Sequence, residues 1–289
     1  MTVVLCHNHV NIAALRRLLW LWGLKMRNGT IAFSALRALR ALRMVAALGG
    51  AFGVSCAVAA GLNDTGVTTC SNASGTTVSC TDAAAVQGQD ARYGRDAAAG
   101  TGALTKVGGG ANGFDFTKIS NAGAVLQPTA ALGTGPNDWG CTYDNTTGLM
   151  WEIKASGGLH SYGNSYTWFS SNSAANGGAV GVANGSPYCY TPGRCDTEKF
   201  TQDVNVAGMC SHNDWRMPTF RELQGLVLLG ASSTVDGAYF PNTNSGISWS
   251  SSPVAGDTGA AWGVDLTNGT SRKSSRGAQQ IIRLVRSGR

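Results

Sequence analysis

Apolar residues recur at helical spacing between residues 195 and 210. Phe200 and Val204 lie four positions apart, which places them on one face of a helix. Asp196 or Thr197 is suited to cap the N-terminus, because a side-chain oxygen there accepts a free backbone N–H of the first turn. The pattern predicts one amphipathic helix in this segment.

A second helix is predicted over residues 218–230. Thr219 and Glu222 stand three positions apart just before an apolar run, which is the spacing of a capping box. Gly230 is suited to end the helix, because glycine adopts the left-handed backbone conformation at little steric cost.

Short segments of alternating apolar and polar residues predict strands before and after these helices. They are bounded by Gly, Asn, Ser and Asp, which favour turns. The predicted strands are residues 147–154, 248–254, 260–268 and 280–288. Two helices among mainly antiparallel strands, without a repeating strand–helix–strand rhythm, predict an α+β fold.

Residues 61–138 differ in composition from the rest of the chain. They are rich in Gly, Ala, Ser and Thr and hold few aromatic residues, so they cannot build a large core alone. We predict a low-complexity, partly ordered arm that packs on a domain at residues 139–289. The glycine cluster at 108–110 lacks the Lys-Ser/Thr pair of a phosphate-binding loop, so we do not interpret it as a nucleotide site.

Residues 1–60 predict an export signal region. A basic segment at 35–44 precedes an uncharged apolar segment at 45–61, and Ala57-Val58-Ala59 offers a cleavage site of the A-x-A type. The predicted mature chain begins near Gly61 and is exported to the periplasm or the cell surface. Alternatives are a retained membrane anchor, a lipoprotein form at Cys56, and translation from Met26.

Charge is distributed unevenly along the chain. The first 60 residues carry seven of the 22 Lys and Arg residues and no acid, so the remainder holds 22 − 7 = 15 basic against 16 acidic residues, a net charge of −1. The formal net charge of +6 therefore comes from the N-terminal region. We predict no nucleic-acid partner, because the predicted mature chain has no basic excess.

Six cysteines follow the signal region, and an even number in an oxidising compartment favours disulfides. They are Cys70, Cys80, Cys141, Cys189, Cys195 and Cys210. Cys70 and Cys80 bracket a short Ser/Thr/Gly-rich loop, so we predict that these two pair. Spacing alone leaves the pairing of the other four open.

The chain offers little support for catalysis. Of its four histidines only His160 and His212 follow the signal region, and no C-x-x-C pair is present for zinc. No G-x-S-x-G segment surrounds the serines at 250–252, so no serine nucleophile is indicated there. We predict a protein that is not an enzyme and that uses no cofactor.

The segment Asp214-Trp215-Arg216 stands between the two predicted helices. A tryptophan can bury about 200 Å² of mainly apolar surface, and flanking charged side chains can bond backbone groups of neighbouring loops. We interpret this segment as structural rather than as a ligand-binding site.

Several motifs follow one another in the second half of the chain: DNTTGLMWEIK, GLHSYGNSYTW, CDTEKFTQDVNVAGMCSHNDWRMPTFREL, YFPNT, SWSSSP, AWGVDLTNG and IRLVRSG. In this order they resemble the Lcl C-terminal domain family, a bacterial domain of unknown biochemical role, over about residues 139–287. The resemblance implies a C-type-lectin-like fold related to the formylglycine-generating enzymes. It also implies that Cys195 pairs with Cys210, which leaves Cys141 for Cys189.

The functional motifs of proteins related to this fold are missing. The E-P-N, Q-P-D and W-N-D motifs of calcium-dependent lectins are absent, and no cysteine follows Cys210, so the cysteine pair of the formylglycine-generating enzymes is absent as well. Neither calcium-dependent sugar binding nor that enzymatic activity is implied. Asp236 or Asp257 could still hold a structural calcium ion.

We therefore predict an exported, non-catalytic binding module of the bacterial envelope or surface that recognises polysaccharide or another polyanion. One alternative is a structural or assembly module with a protein partner at the envelope. A second alternative is a ligand-binding protein that a retroelement diversifies within residues 245–289.

The predicted ligand face lies on a hairpin near the chain end. The strand at 260–268 runs into an Asn268-Gly269 turn and a polar return strand. Aromatic rings can stack on sugar rings, and guanidinium groups match the geometry of carboxylate and sulfate. The residues predicted to form this face are Trp249, Trp262, Arg272, Lys273 and Arg276.

Overall fold

The computed structural model describes residues 61–229 and 234–289. The predicted export region, with its cleavage site and the alternatives at Cys56 and Met26, lies outside the described residues. Within the described part, no helix combines the length and the apolar character that a membrane crossing requires.

Nine strands and three α-helices occur in the described residues, and the predicted α+β class is confirmed. The strands are β1 (Cys70–Ser71), β2 (Thr77–Val78), β3 (Phe116–Ser120), β4 (Trp139–Asp144), β5 (Leu149–Glu152), β6 (Ile247–Val254), β7 (Asp257–Asp265), β8 (Thr270–Ser275) and β9 (Val285–Ser287). The helices are α1 (Gly94–Gly100), α2 (Thr197–Ala207) and α3 (Phe220–Gln224), and a single 3-10 turn spans Asp90–Arg92.

Four strands form an antiparallel sheet in the order β3-β4-β5-β9. Strand β5 lies inside this sheet, where Trp151 is the register partner of Thr142 on one side and of Val285 on the other. Successive side chains of a strand point to opposite faces, and Met150, Trp151 and Glu152 are all buried. Both faces of β5 are therefore covered, and one buried side chain is a carboxylate.

A second antiparallel sheet has the order β6-β7-β8. Strands β7 and β8 pair from Ala260↔Ser275 to Asp265↔Thr270, so the predicted hairpin is confirmed. Gly269 in the connecting turn has a φ of 73°, a conformation that favours glycine. The backbone N–H of Trp249 on β6 donates to the carbonyl of Ile281 at 2.9 Å, which ties this sheet to the segment leading into β9.

Helix α2 confirms the first predicted helix. The Asp196 side chain accepts the backbone N–H of Lys199 at 3.0 Å and caps the N-terminus. Phe200 and Val204 are fully buried, as their spacing predicts. The helix ends at Gly208, whose φ of 71° stops the helical backbone.

Helix α3 confirms the predicted capping box of Thr219 and Glu222, but not the predicted length. It ends at Gln224, well before Gly230, so the predicted extent of 218–230 is wrong. Leu226, Val227 and Leu228 are buried in the core, and the N–H of Leu229 donates to the Thr65 carbonyl at 2.8 Å. These long-range contacts hold this segment outside a helix.

Residues 61–138 contain α1 and the first three strands. Strand β3 pairs along β4 from Phe116↔Asp144 to Ser120↔Trp139, and all five residues of β3 are buried. Residues 116–120 of the predicted arm are therefore a strand of the four-stranded sheet, because the FDFTKI segment supplies the apolar residues that the Gly-rich remainder lacks.

Three disulfides occur in the described residues. Cys70–Cys80 is confirmed, with the Cα atoms 4.9 Å apart. The other two are Cys141–Cys210 and Cys189–Cys195, with Cα separations of 6.4 and 5.3 Å. The pairings implied by the family resemblance, Cys195 with Cys210 and Cys141 with Cys189, are therefore wrong.

The length of α2 explains this difference. Its 11 residues lie between Cys195 and Cys210, and at 1.5 Å per residue they extend about 17 Å. Bridged Cα atoms lie within about 7 Å of each other. Cys210 instead meets Cys141 on β4, and Cys195 meets Cys189 in the loop before the helix.

Candidate functional site

The ligand face predicted from the sequence does not form one surface, because Trp249 is buried. Its exposed fraction is 0%, and its indole Nε1 donates to the Tyr166 carbonyl at 2.9 Å. Trp249 belongs to the hydrophobic core that also contains Trp168 and Trp215. A surface ligand cannot stack on this ring, so Trp249 is removed from the predicted face.

Arg276 is also buried, at 2% exposure. Its guanidinium carbon lies 4.2 Å from the ring centroid of Trp168. Nε donates to the Ala260 carbonyl at 3.0 Å, and Nη1 donates to the Ala179 carbonyl. Arg276 thus satisfies backbone carbonyls in the interior, and its predicted place on an exposed face is corrected.

The remaining three predicted residues do lie together on the β7–β8 hairpin. Trp262 is the register partner of Lys273, and Arg272 is adjacent. The Arg272 and Lys273 side chains are about half exposed and pair with Asp265 at 3.6 Å and Asp257 at 2.5 Å. Two cations face two carboxylates, so these four side chains leave no net positive charge for a polyanion.

Asp214-Trp215-Arg216 makes contacts within the domain. Asp214 forms a paired interaction with Arg286, with N–O distances of 2.6 and 3.2 Å. Trp215 is buried and donates from Nε1 to the Met209 carbonyl at 3.0 Å. Both terminal nitrogens of Arg216 donate to Glu222, at 2.9 and 2.7 Å. These contacts support the structural interpretation of the segment.

His212 is located in the loop after α2. Its backbone exchanges hydrogen bonds with Met209 in both directions, each at 3.0 Å. Burial lowers the pKa of His212, and the nearby Arg286 charge lowers it further, against the opposing effect of Asp214.

The carboxylates suggested for a structural calcium ion are bound to protein groups. Asp236 accepts the backbone N–H groups of Ala111 at 2.7 Å and Ala238 at 3.0 Å. Asp257 pairs with Lys273. Calcium binding at either residue stays a prediction.

A different group of acids meets near the start of the described chain. Asp64, Asp90 and Asp96 bring carboxylate oxygens within 4.8 Å of one another. Asp96 accepts the N–H groups of Gly66 and Gly113, each at 2.7 Å. Burial raises the pKa of Asp96, and repulsion by the other two acids adds to this effect. The contacts join three separate parts of the segment before β3.

A buried ionic cluster lies where β5 ends. Glu152 is the last residue of β5, and its side chain is completely buried. Lys154 follows two positions later, which in extended chain places its side chain on the same face. Lys154 Nζ lies 2.7 Å from Glu152 Oε1, and His160 Nδ1 lies 2.9 Å from the same oxygen. The other oxygen, Oε2, accepts the backbone N–H of Leu284 at 2.9 Å.

Arg283 adds a second cation to this cluster. Its Nη1 donates to the backbone carbonyl of Glu152 at 2.6 Å, and its Nη2 donates to Thr243 Oγ1 at 2.8 Å. The guanidinium carbon also lies 5.3 Å from the ring centroid of Phe240. Two basic side chains, Lys154 and Arg283, thus stand against the single carboxylate of Glu152. The cluster therefore holds one more basic than acidic side chain.

The environment determines the ionisation of these groups. Burial alone would raise the pKa of Glu152, but the Lys154 charge and the His160 hydrogen bond outweigh it and lower that pKa from 4.5 to about 2. Burial lowers the pKa of Arg283 to about 10, against the attraction of Glu152. Burial lowers the pKa of Lys154 as well, against the attraction of the Glu152 charge. At neutral pH Glu152 is anionic and Arg283 is cationic.

The ionic cluster borders a cavity of about 520 Å³, which we call the cluster cavity. Lys154 and His160 line it directly, and the Gly-rich loop from Ala155 to Leu159 forms one wall. The His160 side chain is 28% exposed, and Nδ1 is the ring atom with a hydrogen-bond partner in the described chain. Nε2 has no hydrogen-bond partner among the described residues. Other lining residues are Asn121, Thr134, Trp139, Ser156 and Asn242.

The ligand-binding residues predicted from the sequence do not include Glu152, Lys154 or Arg283. The sequence showed His160 as a histidine but gave it no role. One local signal was available. Opposite charges two positions apart at the end of an apolar strand indicate an ion pair on a buried face, because buried charges are paired. Arg283 gives no such signal, because its contact with Glu152 joins residues 131 positions apart.

The fold and the site together define a disulfide-bonded α+β domain with antiparallel sheets and a buried ionic cluster beside an open cavity. The model of the Lcl C-terminal domain family matches residues 140–286. This match covers just over half of the chain, so the chain belongs to the Lcl C-terminal domain family. No curated protein and no solved structure gives a significant match to it.

Proposed function

We propose that this protein is an exported, non-catalytic binding module of the bacterial envelope or surface, and that the cluster cavity binds an acidic group of a polysaccharide. The proposal includes a C-type-lectin-like fold and a signal segment that ends before Gly61. The observation that carries the ligand class is the excess of basic over acidic side chains in the Glu152–Lys154–Arg283 cluster beside the cavity.

Electrostatics supports an anionic ligand. Charges inside a protein are screened less than charges in water, so the field of a buried cation extends into an adjoining cavity. The Lys154 ammonium group pairs directly with the Glu152 carboxylate. Arg283 bonds a backbone carbonyl and a hydroxyl group instead, and it contacts no carboxylate within the described residues. One carboxylate or sulfate in the cavity would bring a second acidic group to the two basic side chains of the cluster.

The lining of the cluster cavity fits the rest of a sugar. His160 offers a free ring nitrogen, and Thr134 and Ser156 bring hydroxyl groups. Trp139 contributes apolar surface to the same cavity. A few placed polar groups beside an apolar wall are typical of small-ligand sites, and a saccharide presents both hydroxyl groups and C–H faces.

Binding is favoured over catalysis because the ionisable groups are committed to one another. Both oxygens of Glu152 accept hydrogen bonds, from Lys154 and His160 at Oε1 and from Leu284 at Oε2. A buried carboxylate with a pKa of about 2 is a weak base at neutral pH. It positions His160 and neutralises Lys154 instead of accepting a proton.

Calorimetric titration of the purified chain with galacturonate and with uncharged galactose tests this proposal. We expect binding of galacturonate that weakens as salt increases, and much weaker binding of galactose. His160→Gln should weaken galacturonate binding about tenfold, the size of one hydrogen bond to a charged group. His212→Gln is the matched control and should bind as the parent does.

Thermal unfolding of both histidine variants checks that they fold. Equal affinity for galactose and galacturonate would contradict the anionic ligand class. Unchanged galacturonate binding by a folded His160→Gln variant would contradict the assignment of the cluster cavity.

A further inference from the structure

Exposed tyrosines cluster in one part of the chain. Among the described residues, Tyr162, Tyr188 and Tyr190 are 42%, 66% and 56% exposed, and Tyr93 before β3 is 59% exposed. A phenol ring offers a large contact area together with a hydroxyl group, and tyrosine is enriched on binding surfaces. Three such rings between residues 162 and 190 form what we call the tyrosine surface.

Two of these rings stand on a loop that is fastened to the interior. Tyr188 and Tyr190 flank Cys189, which is bridged to the buried Cys195. Within the loop, the N–H of Arg194 donates to the Thr191 carbonyl at 3.0 Å. The bridge and this turn restrict the backbone that carries the rings, so less conformational entropy is lost when a ligand binds to them.

Backbone hydrogen bonds link the residues of the tyrosine surface to the wall of the cluster cavity. The N–H of Tyr162 donates to the carbonyl of Ala155 at 2.9 Å, and Ala155 lines the cavity. The N–H of Ser165 donates to the Tyr188 carbonyl at 3.0 Å. Tyr162 and Ser165 are three residues apart, a span of at most about 11 Å. The chain therefore connects the wall of the cavity to the disulfide-bridged loop over a short distance.

We propose that the tyrosine surface of Tyr162, Tyr188 and Tyr190 extends the cluster cavity into a site for several consecutive sugar units, so that the ligand is an acidic polysaccharide chain rather than a single sugar. This inference rests on the function proposed above. The cavity binds one acidic unit, and the neighbouring units lie against the phenol rings.

The chemistry of a sugar chain fits these rings. The face of a pyranose presents C–H groups of slight positive charge, which pack on the negative face of an aromatic ring. The phenol hydroxyl at the ring edge can bond a sugar hydroxyl. Energies typical of paired rings correspond to roughly two- to tenfold in affinity for each ring.

The test compares a galacturonate monomer with a galacturonate hexamer, using calorimetry on the full chain. The parent should bind the hexamer more tightly than the monomer after correction for the number of equivalent units. The double variant Tyr188→Ala/Tyr190→Ala should lose about tenfold or more in hexamer affinity and keep its monomer affinity. Tyr93→Ala, which removes an equally exposed ring outside the tyrosine surface, should change neither.

The outcomes separate this inference from the function on which it rests. If the parent gains nothing from chain length, or if the double variant keeps full hexamer affinity, the extended site is wrong while monomer binding at His160 still stands. If neither monomer nor hexamer binds, both the function and the extended site are wrong. If Tyr93→Ala loses the additional affinity for the hexamer, the additional contacts lie outside the tyrosine surface, and the inference is also overturned.

Discussion

Replacing Glu152 by glutamine should destabilise the domain strongly. The substitution keeps the size of the side chain but removes the anion that faces Lys154 at 2.7 Å and His160 at 2.9 Å. The two basic side chains of the buried cluster, Lys154 and Arg283, are then left without an acidic partner in it. Removing one partner of a buried ion pair costs about 3–5 kcal/mol, because the other charge is left without compensation.

Urea unfolding followed by tryptophan fluorescence measures the loss in the free energy of unfolding, and thermal unfolding shows it as a lower melting temperature. In a domain of this size about 1 kcal/mol corresponds to roughly 2–4 °C, so the melting temperature should fall by about 6–20 °C. Glu198→Gln is the matched control, because Glu198 is half-buried and its carboxylate bonds Ser171 rather than a basic side chain. Its cost should stay within about 0.5 kcal/mol.

A second substitution shows whether the loss comes from charge. Glu152→Gln combined with Lys154→Met removes both members of the pair, so no lysine is left facing a missing carboxylate. The double variant should recover part of the stability lost by Glu152→Gln, since a buried pair replaced as a unit costs far less than a broken one. A Glu152→Gln variant that loses less than about 1 kcal/mol more than the control would refute the reasoning. No recovery in the double variant would refute it as well.

Acid should destabilise the parent through Glu152, whose pKa is lowered from 4.5 to about 2 in the folded state. The stabilisation by ionised Glu152 is fully present above pH 4.5 and disappears as pH falls through about 2. Melting curves across this range should show that the parent loses about 3 kcal/mol of stability, a loss that Glu152→Gln lacks. Non-reducing peptide mapping should recover Cys141–Cys210 and Cys189–Cys195, and a peptide that joins Cys141 to Cys189 would contradict the fold. Thr219→Ala removes the cap of α3 and should cost about 1 kcal/mol in urea unfolding, and an unchanged midpoint would show that the capping box is dispensable.

Features with a local cause could be predicted from the sequence. The cap of α2 depends on Asp196 and the next three residues, and the hairpin turn depends on Asn268 and Gly269. The Cys70–Cys80 bridge closes a short loop, so neighbours in sequence are neighbours in space. Each of these signals lies within about ten residues, which is why no knowledge of the fold was needed.

Features with a long-range cause could not be predicted in the same way. The early end of α3 depends on burial of the residues after it and on the contact of Leu229 with Thr65. Arg276 carries a charge, and only the packed structure shows that its guanidinium lies over Trp168 in the interior. Charge and aromatic character in the sequence therefore indicated an exposed face where the fold places part of a core.

The same limit applies to the candidate site. Glu152 and Lys154 are close in sequence, but the second basic side chain, Arg283, comes from the other end of the domain. The cavity also needs the loop after β5 and residues near Cys141–Cys210, which the fold brings together. A single sequence gives no indication of that arrangement.

The binding of an acidic sugar in the cluster cavity is tested most directly by nuclear magnetic resonance of the histidine side chains. The described residues hold two histidines, His160 in the cavity and His212 outside it. Titration with galacturonate should shift the His160 ring signals to saturation and leave those of His212 unchanged. No saturable shift at His160, or equal shifts at both histidines, would contradict binding in the cluster cavity.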